Sequence, residues 1–282
     1  MSYDARVSRR WISPDASQDP SLTSATFGSV GNLTNTFLEW FGNLGIFVWQ
    51  VTRSAMRRPF EGRELFRQLD EIGSKSLPVV ALAGAAIGFV LSLESRSSLV
   101  HFGAKSMLPA ALIYSIIHET GPIVTGLVVS GRVGAGIGAE LGSMKVTEQI
   151  DAIEASGVNP YKFLAFTRIL ACILMLPLLT LAADFCGVLF GWIAETLVDP
   201  VSFHRFISQG FVGAHFSDLL APTFRTAVFG LIIGVIACFQ GMNTKGGTAG
   251  VGLSTTSSVV LSSLFVILAD VVLVKMILVF FP

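Results

Sequence analysis

Residues 131–161 read GRVGAGIGAELGSMKVTEQIDAIEASGVNPY and fall into two unlike halves. Five glycines lie between positions 131 and 142, and a charged segment follows at once. Within that segment Val146, Ile150 and Ile153 recur at i, i+4, i+7, while Glu148, Asp151 and Glu154 take other faces. Gly157 suits the C′ position of a helix, and Pro160 suits a stop just beyond it. The spacing predicts a short amphipathic helix over 143–157. Such a helix either docks onto a soluble partner or is a solvated connection, and spacing alone favours neither.

What lies on either side decides the fold. Apolar runs cover about 77–100, 107–131, 161–197, 222–240 and 256–281, each long enough to cross a bilayer. Of 282 residues 52% are apolar and only 13% charged, and the mean hydropathy is +0.68. A soluble domain sits nearer a quarter charged, so this is a membrane composition. The formal net charge is zero, which argues against nucleic acid as a partner. Cys172, Cys186 and Cys238 lie inside apolar runs without a CxxC spacing and read as small packing residues.

The run 161–197 is long enough for one bent helix, with Pro177 and Gly187 near its middle, or for a tight hairpin. Charge favours one crossing. Nine Lys and Arg precede the first span, four lie between 132 and 168, and Lys245 joins them on the same side. That excess predicts a cytoplasmic N-terminus and five spans. Residues 1–32 carry no apolar core of a signal peptide and read as a disordered cytoplasmic tail. Residues 33–58 place Leu33, Phe37, Trp40, Phe41, Leu44 and Val48 at helical spacing but are too polar for a comfortable span. They read as an interfacial amphipathic helix, with a first transmembrane helix as the alternative. The expected fold class is therefore an all-α membrane protein: an interfacial helix, about five transmembrane helices, and a cytoplasmic helix between the second and third. The pairs Gly84/Gly88, Gly134/Gly138, Gly187/Gly191 and Gly230/Gly234 mark faces where helices can approach closely in lipid.

Enzyme signatures are missing. GAGIG at 134–138 follows an apolar helix and lacks the spacing of a dinucleotide loop, and no GxxxxGK[ST] occurs. HETGP at 118–122 has Pro122 where a zinc-protease helix needs its second His, and no GxSxG elbow is present. KGGTAGVG at 245–252 is read as a turn between two spans rather than a phosphate cradle. A proton-driven secondary transporter using Glu119 and Asp270 is the competing class, but no internal repeat supports it.

The run from Glu119 to Lys162, ETGPIVTGLVVSGRVGAGIGAELGSMKVTEQIDAIEASGVNPYK, closely resembles the signature of the MlaE/YrbE family. The likeness extends more loosely to AMRRPFEGRELFRQLDEIG at 55–73 and FQGMNTKGGTAGVGLSTT at 239–256. These are membrane permeases of MCE-associated ABC lipid transporters. The resemblance implies a permease domain over 33–282 in the cell inner membrane, paired as a homodimer on two separate ABC ATPase subunits. ATP and Mg would then sit on the partner, with no cofactor on this chain. It also implies an MCE-protein conduit that exchanges phospholipid with the other envelope membrane. On this likeness 143–157 is the coupling helix, and Glu140, Lys145, Glu148, Gln149, Asp151 and Glu154 are its candidate contacts to the ATPase.

Intramembrane charge supplies the second candidate set. Glu119 is central in 107–131 and Asp270 in 256–281, where ionisable groups are costly and face a cavity or one another. Glu119 with Arg225 lines or gates a headgroup cavity, or else forms an interhelical ion pair; for Asp270 the ion pair is the favoured reading. His118 stands where many relatives carry Arg. Arg67 either meets lipid phosphate or simply belongs to the basic inner side.

Overall fold

The computed structural model describes residues 20–55, 61–212 and 216–280. Every regular element among them is helical. Helix α1 spans Pro20–Ala55, so it begins inside the segment read as a tail. Arg57 and Arg58, at the end of the predicted interfacial segment, lie outside the described residues. The chain divides into two compact units, residues 1–47 and 48–282. In the described part of the first, the Trp40 and Phe41 rings meet edge-on at 5.0 Å.

The second unit holds α2 (Gly62–His101), α3 (Lys105–Val146), α4 (Gln149–Ala155), α5 (Tyr161–Val198), α6 (Phe203–Gly210), α7 (Phe216–Met242) and α8 (Gly247–Phe280). Helices α2, α3, α5, α7 and α8 are long and apolar enough to cross a membrane. Residues 161–198 form one continuous helix with Pro177 inside it, so the run crosses once and the hairpin is excluded. KGGTAGVG divides: the turn ends at Gly246, and Gly247 onward is helical.

Glycine positions explain which helices touch. A Cβ at Gly84 would lie 2.4 Å from the Ala183 carbonyl oxygen, and one at Gly88 would lie 2.1 Å from that of Gly187. Real Cβ atoms do not approach so closely, so α2 and α5 are in backbone contact along this seam. Gly230 and Gly234 do the same for α7 against Cys172 and Ile169 of α5, while Gly138 sits on Ser258 of α8. The resulting order of packing is α2, α5, α7, α8, with α3 against α7 and α8. Helix α7 is the most enclosed of the five.

Helix α2 has 40 residues and α3 has 42, roughly 60 Å each against a hydrocarbon core of about 30 Å. Their surplus turns, Gly62–Ser76 and Arg132–Val146, project on the same side, because α2 ends where α3 begins. That side also carries α4. On the opposite side an ionic tie joins three segments: Arg96 Nη1 lies 2.5 Å from Glu195 Oε1, and both Arg96 and Lys105 pair with Asp199. The Lys105 ammonium and then the Arg96 guanidinium hold the Asp199 carboxyl below the ordinary carboxylate range. Beneath this tie Phe206 of α6 is fully buried against Leu108, Leu112, Ile113 and Ile116 of α3.

Candidate functional site

Pro122 sets the geometry at mid-membrane. It has no backbone N–H, so the carbonyl of His118, four residues back, loses its normal helical donor. The helix widens to a π turn over Ile116–Thr120, a feature that recurs at functional sites. Arg225 of α7 supplies the missing donor, with Nη2 2.6 Å from the His118 oxygen. The same guanidinium lies 3.3 Å (Nε) from Asp270 Oδ1 on α8 and 3.7 Å (Nη1) from Glu119 Oε2 on α3. The Asp270 contact is close enough for an ion pair but too oblique for a hydrogen bond, since neither Nε nor Oδ1 has a hydrogen-bond partner. One cation thus joins three spans.

Burial separates the roles of the two acids. Arg225 and Asp270 are each 4% exposed and form the buried half of the cluster. The Glu119 side chain is 56% exposed and faces a cavity of about 520 Å3 lined also by Leu91, Tyr114, His118, Pro222 and Val274. Glu119 is roughly 17 Å along the helix from Leu108 and about as far from Gly131, so this cavity opens near the bilayer centre. The Tyr114 and His118 rings stack at 4.0 Å on its wall. The arrangement offers a fixed negative charge, an aromatic platform and an apolar surround. It has the means to hold an amphiphile by its polar end. It brings together Glu119, His118, Arg225 and Asp270; Arg67 is elsewhere, exposed on α2 and paired 2.9 Å from Glu64.

The second candidate set is narrower than 143–157. Residues 143–146 belong to α3, and the separate helix is only Gln149–Ala155. The chain bends between them at Glu148, whose φ of 57° makes it the one non-glycine residue in the left-handed region among those described. Ile150 is buried and anchors α4, while Glu148, Gln149, Asp151 and Glu154 are exposed. Lys145 reaches back to Asp151 at 2.8 Å. Gly157, at φ 81°, closes the helix as predicted, with Gly157 N–H donating to Glu154 O (2.9 Å) and Val158 N–H to Ile153 O (3.3 Å). Asn159 then caps α5 through the Tyr161 N–H and donates Nδ2 to Ser54 Oγ, in the last turn of α1, at 3.2 Å. Glu140 is not part of the α4 surface; it pairs at 2.8 Å with the buried Arg168 of α5.

Sequence reasoning missed Tyr114, although it lies one turn before His118. It also missed Asp184, whose carboxyl occupies the space that a side chain at Gly121 would fill.

The chain matches the family described as Permease MlaE over residues 65–276. A probable ABC transporter permease protein of Rickettsia felis is 35% identical over 248 residues, covering 88% of this chain and 96% of that one. A probable ABC transporter permease protein of Synechocystis sp. is 32% identical over 221 residues, covering 78% and 84%. The chloroplastic protein TRIGALACTOSYLDIACYLGLYCEROL 1 of Arabidopsis thaliana is 32% identical over 235 residues, covering 83% and 67%. A five-span helical permease with a charge-lined cavity at mid-membrane and a short acidic helix between its second and third spans, this chain belongs to the MlaE permease family.

Proposed function

We propose that this chain is the transmembrane subunit of an ABC transporter that moves phospholipid or a related lipid, powered by a separate ATPase and working with an MCE-protein conduit at the cell inner membrane. The observation that carries the lipid reading is the cavity at Glu119. It is large, mostly apolar and placed inside the bilayer, yet its one exposed charge is held in position by Arg225. An ion would be better served by a polar cage, and a soluble solute by a wet path. A relative named for a galactolipid supports the same class. In this reading the chain works as a homodimer, ATP and Mg bind on the ATPase, and the exposed face of α4 takes up the motion that ATP hydrolysis provides. In this reading the N-terminal side is cytoplasmic, which the Lys and Arg excess supports.

The proton-driven alternative is disfavoured by the same geometry. One guanidinium stands against both carboxylates, whereas a proton carrier needs an acid free to take up and release a proton in each cycle.

The coupling role is tested by charge reversal. Glu148→Lys with Asp151→Lys, assembled with the ATPase, should leave expression and membrane insertion intact while ATP hydrolysis no longer drives lipid movement. Transport at the unmodified rate in that double variant would remove α4 from the account.

A further inference from the structure

The inner ends of α2 and α3 enclose a second cavity, separate from the one at Glu119. Its volume is about 310 Å3, and its polar lining is Gln68, Glu71, Arg132 and Glu140, with Ile72 and Ile137 beside them. Depth indicates what can reach it. Arg132 directly follows the apolar run 107–131, and Glu140 lies roughly 12 Å further along the helix. The headgroup layer occupies about 5–8 Å on each side of the hydrocarbon core. Arg132 is therefore at headgroup level on the side of α4, and the cavity extends from there past the headgroup layer to Glu140.

Its charges are arranged unusually. Arg132 Nη1 donates to Ser76 Oγ at 2.8 Å, and no carboxylate among the described residues pairs with it. Its other N–H donors are left for a ligand. Glu71 Oε1 is taken by Lys75 at 2.6 Å and Glu140 Oε1 by Arg168 at 2.8 Å, which leaves the second oxygen of each carboxylate. A simple anion attracted to Arg132 would meet two acids, and a simple cation would meet the guanidinium. A group carrying a phosphate and an ammonium a few ångströms apart satisfies both.

We propose that this cavity binds the headgroup of a phosphoethanolamine-type phospholipid, with phosphate on Arg132 and ammonium on Glu71 and Glu140. The planar guanidinium fork matches phosphate oxygens. A primary ammonium has three N–H donors for carboxylate oxygens. A quaternary ammonium has none and is recognised by aromatic faces, and among the described residues no aromatic lines this cavity. The inference rests on the chain being a membrane permease, and it stands whether or not lipid is the cargo.

The test is native mass spectrometry of the full chain released from nanodiscs holding equal amounts of phosphatidylethanolamine, phosphatidylcholine and phosphatidylglycerol. Phosphatidylethanolamine should be retained about tenfold over the other two, the discrimination expected from a charge-assisted hydrogen bond. Soluble phosphoethanolamine should displace it, and inorganic phosphate at the same concentration should not. Arg132→Gln and Glu71→Gln should each lower retention about tenfold; Glu71 is exposed, so its variant reads the site even if loss of Arg132 impairs folding. Equal retention of the three lipids, displacement by inorganic phosphate, or unchanged retention in Glu71→Gln would overturn the proposal. A chain that retains phosphatidylethanolamine but moves no lipid keeps this site and sinks the transport reading; one that moves lipid without headgroup discrimination does the reverse.

Discussion

Replacing Arg225 with Met removes one cation and strands three groups at once. Asp270 is left buried, Glu119 loses its counter-charge, and the His118 carbonyl loses its donor. Breaking one side of a buried ion pair costs about 3–5 kcal/mol, and the loss of the guanidinium donor to the His118 carbonyl adds about 1–3 kcal/mol. Glu119 is more than half exposed, so solvent screens its share. Protonation of Asp270 relieves part of the remainder, which leaves a loss of about 3–5 kcal/mol for the single variant. Asp270→Leu alone strands the guanidinium and should cost about 3 kcal/mol. The double variant Arg225→Met with Asp270→Leu strands neither charge and should cost only the carbonyl, about 1–3 kcal/mol. Unfolding titrations of all four proteins in mixed micelles give the coupling energy, expected at about 2 kcal/mol or more. Lipid movement should not recover in the double variant, because the cavity has lost the residue that positions Glu119. Additive single effects, with coupling below about 0.5 kcal/mol, would refute the three-span ion cluster as a unit.

Three further outcomes follow from other parts of the structure. Gly88→Leu places side-chain atoms where the Gly187 backbone sits, so α2 and α5 must part; the protein should lose several kcal/mol or fail to assemble, read as a lowered melting temperature in detergent. At the bend before α4, Glu148→Gly removes the left-handed penalty and should raise stability by about 1 kcal/mol, whereas Glu148→Val should lower it by at least as much. Asp199 has a depressed folded-state pKa, so its contribution is fully present above its unfolded value of about 3.9 and is lost as pH falls through the folded value. Melting temperature should therefore be flat near neutrality and fall below about pH 4, and Asp199→Asn should flatten part of that acid limb.

The spans were legible because lipid imposes one demand, an apolar helix of sufficient length, and the described residues meet it five times. The glycine pairs were legible for a related reason: each pair holds at least one position where a side chain would collide with a neighbouring helix, although Gly134 itself has room for one. The mid-membrane cluster was readable from composition, since Glu119, Arg225 and Asp270 are too costly to leave unpaired. What held them together was not. The link runs through Pro122, whose effect falls on a carbonyl four residues away and is answered by a side chain from another helix. The predicted 143–157 helix came out too long because Glu148 adopts a conformation usually left to glycine, and nothing local announces that. Arg132 entered only the count of basic residues, and Glu140 was read as a coupling contact. Only packing of α2 against α3 shows that they share a cavity.

The central claim is that ATP hydrolysis on a partner drives lipid through this chain. It is tested most directly by reconstituting the chain with its ATPase in vesicles and following a headgroup-labelled phospholipid into acceptor membranes. The account predicts transfer only when ATP and the ATPase are both present, unchanged when the proton gradient is dissipated, and lost in Arg225→Met. Transfer by the chain alone that collapses with the proton gradient would contradict it.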